Sequence, residues 1–131
     1  MPRIVRAFPI KPGKLPDLQA FARECMVRAA AVEALYEKYG VRFESWHVQE
    51  TPGGHMVICV TEIDDPIGAG AAYGASRNEF DAWFKSRVAE LSGVDPNNDP
   101  LGPPTVEVFR FDVNAMRRLE LPGFLDLTTA A

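Results

Sequence analysis

The chain has only two histidines, at positions 47 and 55. Imidazole is the side chain that most readily exchanges a proton near neutral pH. His47 stands in the run Glu44-Ser45-Trp46-His47-Val48-Gln49-Glu50, and Glu62 lies near the end of the β-rich run that follows. If the two runs pair about Pro52-Gly53, then His47, Gln49 and Glu62 share one face, because residues of equal parity share a side of a hairpin. An imidazole near a carboxylate is a candidate general base or proton shuttle. That makes His47 and Glu62 the candidate catalytic residues, with Gln49 beside them for a ligand. The opposing reading is a hydrogen-bonded histidine with a purely structural duty. The trio is a poor metal set, no His-x-His or Glu-x-x-His spacing supports one, and no metal is expected.

Arg6 is the second residue that stands out. It sits mid-strand between Ile4 and Phe8, and a cation on a strand buried on both faces needs an acidic partner or an anionic ligand. Glu44 or Glu62 is the internal candidate, and an anionic oxygen of a ligand is the external one. Trp46 and Trp83 are either walls of an aromatic pocket or anchors between sheet and helix. The Gly68-Ala69-Gly70-Ala71 run lacks the strand-to-helix spacing and the Lys-Ser/Thr of a phosphate loop. No Gly-x-Ser-x-Gly elbow is present. Cys25 and Cys59 fall inside apolar patterns and read as buried, unreactive thiols.

The elements that must carry these residues follow from periodicity. Arg3 to Ile10 reads as a strand, stopped by Pro9 and Lys11-Pro12-Gly13-Lys14. Leu15, Leu18, Ala22, Cys25, Ala29, Val32 and Tyr36 recur at steps of three and four, the stripe of one long helix ending near Gly40. Val41 to Glu50 and His55 to Ile63 flank the turn Thr51-Pro52-Gly53-Gly54, with Glu50 opposite His55, His47 opposite Ile58 and Phe43 opposite Glu62. The small-residue stretch Ile67 to Ala75 is a weak helix former. Asn78 to Leu91 reads as a second helix, stopped by Gly93. Thr105 to Phe111 alternates as a final strand. The order is β-α-β-β-α-β, a ferredoxin-like α+β plan with a four-stranded antiparallel sheet and two helices on one face. The other face is too apolar for water and predicts a face-to-face homodimer.

The 131 residues allow one ordinary domain, and a net charge of -4 offers no general attraction for nucleic acid or an anionic membrane. The longest strongly apolar run, around Met56 to Val60, is far too short to span a bilayer. With only two cysteines and no export signal in the sequence given, a cytoplasmic location is expected. Residues 1–112 form the expected domain. Residues 113–131 form a tail whose leucines and Phe124 predict packing on the body or on a partner subunit.

The run Val5-Arg6-Ala7-Phe8-Pro9-Ile10-Lys11-Pro12-Gly13-Lys14, the long helix, the Gly40-led strand, the hairpin and Glu62-Ile63-Asp64-Asp65 resemble the dimeric α/β-barrel superfamily. That group includes antibiotic-biosynthesis-type and haem-degrading monooxygenases. Ser76 to Phe84 is similar to its second-helix signature of a serine followed by aromatics. The run Glu44 to Glu50 is similar to a bacterial family of this group with no assigned function. The resemblance spans residues 3 to 111 and implies a dimeric barrel. Haem degraders of this fold carry an asparagine on the first strand and a tryptophan and histidine in the second helical region. Here those regions offer Arg6 and Ala7, and Tyr73, with no histidine after His55, so no cofactor is expected. The resulting expectation is a cofactor-independent monooxygenase or isomerase for a small apolar or aromatic molecule. Arg6, Trp46, Gln49, Tyr73 and Trp83 are its ligand-binding candidates. The alternative is a non-catalytic module for small-ligand binding or dimerisation.

Overall fold

A computed structural model describes residues 2–103 and 105–113. Its elements run β1 (Arg3–Pro9), α1 (Leu15–Val27), α2 (Ala29–Lys38), β2 (Val41–Thr51), β3 (Gly54–Ile63), α3 (Pro66–Ala75) and α4 (Glu79–Ser92). The strands form one antiparallel sheet in the order β1-β3-β2. The turn at Thr51–Gly54 is closed by the Thr51 hydroxyl, which donates to the Gly54 carbonyl at 2.7 Å. It fixes the register expected from the sequence: Glu50 faces His55, His47 faces Ile58 and Phe43 faces Glu62. An irregularity between Val41 and Phe43 lets β2 start beside Ile63.

All four helices belong to one side of this sheet. Phe8, Val57 and Cys59 from the strands meet Leu18 and Phe21 of α1, Leu35 of α2, and Phe84, Val88 and Leu91 of α4 in a single buried cluster. Burying each such side chain contributes about 1.5–3 kcal/mol. α4 has both of its sequence signals in place. The Asn78 side chain caps it by accepting from the Phe80 and Asp81 amides, and Gly93 ends it in the left-handed region at φ 79°.

Three expectations need correction. The long first helix is two helices. The chain leaves helical geometry at Arg28, whose guanidinium lies 4.6 Å from the Phe80 ring centroid and 4.5 Å from that of Trp83. The buried positions become Leu18, Phe21 and Leu35, while Ala22 and Ala29 of the expected stripe are exposed. The small-residue stretch is a helix, α3. Its start is secured by Pro66 in the first turn and by Asp65, which accepts from the Gly68 amide at 3.1 Å.

Finally, Thr105 to Phe111 forms no ladder on the described sheet and makes only an isolated bridge at Arg110. The segment meets β1 at its first residue. The Thr105 hydroxyl donates to the Val5 carbonyl at 2.6 Å. Gly102, at φ 77°, lies so close to the Ala7 carbonyl that a Cβ there would stand 2.4 Å from the oxygen. Val106, Val108, Phe109, Phe111 and Val113 are left exposed. The expected packing of the tail falls almost wholly outside the described residues.

The sheet face away from the helices carries Val5, Ala7, Phe43, Met56, Ile58 and Val60. None of them belongs to the buried core, and Phe43 is half exposed. Among the described residues, no helix is long and apolar enough to cross a membrane.

The helix layer is tied together by a buried carboxylate. Asp81 of α4 accepts from Lys38 Nζ at 2.7 Å, Tyr39 OH at 2.6 Å and Ser76 Oγ at 2.6 Å. Burial alone would raise this carboxyl, but the hydrogen bonds from Lys38, Ser76 and Tyr39 outweigh it and hold Asp81 below its ordinary value. A carboxyl depressed in the folded state stabilises above its unfolded pKa and loses that contribution as pH falls through the folded value. Asp81→Asn is therefore expected to cost about 1–3 kcal/mol at neutral pH. Denaturant titrations should show the gap from wild type closing in acid. A gap that stays constant down to the acid transition would remove Asp81 from this role.

Candidate functional site

Between the helix-side face of the sheet and helices α2 and α3 lies a cavity of about 780 Å³. Its floor is made of side chains that alternation sends to that face: Ile4 and Arg6 from β1, Glu44 and Trp46 from β2, and Cys59 and Thr61 from β3. Tyr36 of α2, Tyr39 at its C-terminal cap and Tyr73 of α3 supply aromatic walls. The opposite wall includes Ala69, Gly70 and Ala71 of α3, with Pro100 and Leu101 from the loop beyond α4. The small residues of α3 keep the space open, since a bulkier stripe would fill it. A cavity of this volume suits a small organic ligand.

Glu44 is the polar centre of the floor. Its Oε2 accepts from the Tyr36 hydroxyl and, at 3.0 Å, from the Trp46 indole N–H. Its Oε1 accepts from the Thr61 hydroxyl at 2.8 Å. A carboxylate has about four acceptor positions, so Oε1 retains one for a further donor. All of these protein partners are neutral. Burial first, and then the charge and hydrogen bond of Glu44, push the Tyr36 phenol far above its ordinary value. Burial also raises Tyr73, with the charges of Glu44 and Asp81 adding to it. Cys59, 3.5 Å from the Thr61 hydroxyl, is pushed up to about 12 by burial and then by the Glu44 charge. Burial and Glu24 push Cys25 up to about 11. Neither thiol is primed as a nucleophile at neutral pH.

Arg6 stands at the other end of the floor, where Nη1 donates to the Gly102 carbonyl at 2.8 Å. Neither acidic partner considered from the sequence reaches it. Glu44 holds the Tyr36–Trp46–Thr61 set, and Glu62 pairs with Arg3 at 2.7 Å.

The candidate residues thus fall into two groups. Arg6, Trp46 and Tyr73 line the cavity. His47, Gln49 and Glu62 lie on the opposite face of the sheet, so a pocket between sheet and helices does not contain His47. Its imidazole is exposed, with Nε2 2.9 Å from the Ser45 hydroxyl oxygen. Trp83 lies outside the cavity and packs on Phe21 and Phe80, with ring centroids 5.7 and 5.4 Å away. The members that the sequence reading did not assign to the site are Tyr36 and Thr61, with Glu44 as the group that joins them. The available signal was Glu44 itself, a carboxylate of equal parity with Trp46 and Val48 on an otherwise apolar face. Among the described residues, no group of three or more His, Cys, Asp or Glu side chains is placed to hold a metal ion.

No protein-family profile matches the chain, and no curated protein matches it. Among solved structures it is similar to an L-rhamnose mutarotase from Formosa agariphila. The two share 16% sequence identity at a TM-score of 0.56, over 86% of this chain and 100% of that one. At that identity the likeness shows the fold alone, an α+β protein of ferredoxin-like type.

The tyrosines give a direct check on the site. The chain has three, at positions 36, 39 and 73, and all are raised in the folded protein, each first by burial. The unfolded chain releases these protons from about pH 10, so stability must fall as pH rises beyond that point. In Tyr39→Phe, which leaves the more deeply buried Tyr36 and Tyr73, tyrosinate absorbance is expected to appear only together with loss of circular dichroism. A phenol that titrates near its ordinary value while that variant stays folded would contradict the closed site around Glu44.

Proposed function

We propose that the protein is a small dimeric α/β-barrel isomerase that moves a proton on a small apolar or aromatic molecule bound beside Glu44. The observation that carries this reading is the cavity of about 780 Å³ with a carboxylate on its floor whose protein partners are all neutral donors. In this reading Glu44 Oε1 accepts a proton from the substrate and later returns it to another atom of the same molecule. The step needs no oxidant. Tyr36 and Trp46, both on Oε2, hold the carboxylate in place, and Thr61 orients Oε1. Tyr36 stays protonated throughout, as its raised pKa requires. That the similar structure is an L-rhamnose mutarotase supports an isomerase reading of this fold.

A cofactor-independent monooxygenase would begin with the same proton abstraction, because oxygen then reacts with the substrate anion. Oxygen consumption during turnover separates the two reactions. The non-catalytic alternative draws on the same polar cluster, which leaves no buried side-chain nitrogen or oxygen unpartnered among the described residues.

The test is a thermal-shift screen of small metabolites, followed by proton NMR of each hit in heavy water. Exchange of a substrate C–H for deuterium is expected with wild type. Glu44→Gln should reduce it by about 100- to 10,000-fold while binding changes little. Binding without exchange would leave a ligand-binding module and end the catalytic reading.

The dimer belongs to the same proposal. Val5, Phe43, Ile58 and Val60 on the uncovered face, and the exposed apolar residues from Val106 to Val113, are what a second copy would bury. His47, Gln49 and Glu62 would then lie at the subunit interface. Light scattering should give twice the chain mass of 14.5 kDa, and Ile58→Asp should halve it. A wild-type monomer at micromolar concentration would undo the barrel.

A further inference from the structure

The proposed function leaves the class of ligand open, and Arg6 narrows it. Arg6 is half-buried on the helix-side face of β1 and lines the cavity. A guanidinium carries a planar fork of N–H donors, and among the described residues the Gly102 carbonyl alone takes one of them. Among the described residues the nearby carboxylates are engaged elsewhere: Glu44 with Tyr36, Trp46 and Thr61, Glu62 with Arg3, and Asp64 with Arg42. Asp99 lines the cavity from an exposed turn and makes no bond to Arg6. The other cation on the lining, Arg77, is held by the Gly74 and Ser76 carbonyls and by Asn97. The remaining donors of this half-buried guanidinium are the ones an anion in the cavity would engage as a charge-assisted pair.

We propose that the cavity takes a small monocarboxylic acid with an apolar or aromatic body, its carboxylate held by Arg6 and its reacting end toward Glu44. This rests on the reading of the cavity as a ligand site. The sheet sets the spacing. Arg6 is level with Cys59 and Trp46 across the three strands, and Glu44 lies two residues further along, level with Thr61. Two strand spacings of about 4.8 Å and two residues of about 3.3 Å put the two Cα atoms roughly 12 Å apart. Cys59 and Thr61 of the central strand lie between them on the floor, and the cavity of about 780 Å³ has room for a molecule of one ring or a short chain. A second anionic group would meet only Arg77, which is exposed and donates through Nη1 to neutral acceptors, and the acidic groups Glu44 and Asp99 on the lining would repel it.

The experiment compares benzoate, phenylacetate and cinnamate with their primary amides by calorimetric titration of the full chain. Wild type is expected to bind at least one acid about 10- to 100-fold more tightly than its amide, as a charge-assisted pair requires. Arg6→Gln should erase that preference, and Arg6→Lys should keep part of it, with circular dichroism confirming the fold of each. Should Arg6→Gln fail to fold, the acid-to-amide ratio on wild type decides alone. Equal binding of acids and amides, or a preference that survives in folded Arg6→Gln, overturns the carboxylate assignment and leaves the cavity as a ligand site. Failure of folded wild type to bind any acid or amide at millimolar concentration overturns the cavity reading and this inference together.

Discussion

A β-strand sends successive side chains to opposite faces, so the pairing of β2 with β3 decides which residues meet the helices. With Thr51 opposite Gly54, the residues Glu44, Trp46, Val57, Cys59 and Thr61 fall on the helix side, and Ser45, His47, Gln49, Ile58 and Glu62 on the other. A slip of one residue along β2 would exchange these sets. Glu44 would then lose Tyr36 and Thr61, and the cavity floor would carry an imidazole in place of a carboxylate. β1 obeys the same alternation. Arg6 pairs across to Cys59 and joins the floor, while Arg3 goes to the far face with Glu62.

The two helix-side carboxylates show how partners divide structural duty from chemical duty. Asp81 meets a cation, Lys38, together with two hydroxyls, and it fastens α2, α4 and the chain between α3 and α4 to one another. Nearby, Lys85 is buried with its ammonium donating to the Tyr73 and Ser76 carbonyls, and burial lowers its pKa. These groups are used up by the fold. Glu44 meets only neutral donors and borders open space. Among the described residues its negative charge has no direct ion pair, and that charge contributes to the raised pKa values of Tyr36, Tyr73 and Cys59. Both charges keep protons on neighbouring phenols, Asp81 on Tyr39 and Tyr73 and Glu44 on Tyr36 and Tyr73. What differs is the partner set, a cation and hydroxyls that depress Asp81 against neutral donors at Glu44.

The parts legible in the sequence were those with local causes. The hairpin, its register and β1 followed from alternation and turn chemistry, and α4 from Asn78 and Gly93. The break at Arg28 was hidden because it coincides with a stacking contact from α4, more than fifty residues away in the chain. α3 was hidden because its weak glycine- and alanine-rich interior is offset by caps at Asp65 and Pro66. The final strand was misread because alternation reports the habit of a strand and not the edge it needs. In the site, Arg6 and Trp46 were legible as a charge and a large ring on a strand with apolar neighbours. The role of Glu44 was not, because it depends on Tyr36, a helix residue whose direction changes with the break at Arg28. The two histidines drew attention by chemical type, although parity placed His47 opposite the covered face.

The anion end of the cavity depends on the far end of the described chain. Arg6 is held by the carbonyl of Gly102, ninety-six residues away. Gly102 can occupy that position only because it has no Cβ to strike the Ala7 carbonyl and because it tolerates a positive φ. Thr105 then fixes the next turn of chain to Val5. The same short segment therefore closes the free edge of β1 and orients the guanidinium that lines the cavity. It also leads directly into the exposed apolar run from Val106 to Val113. In the proposed dimer, a second copy that buries that run would act on a chain anchored by the Gly102 contact to Arg6 and the Thr105 contact to Val5. The same two contacts would then serve both the proposed assembly and the proposed ligand site.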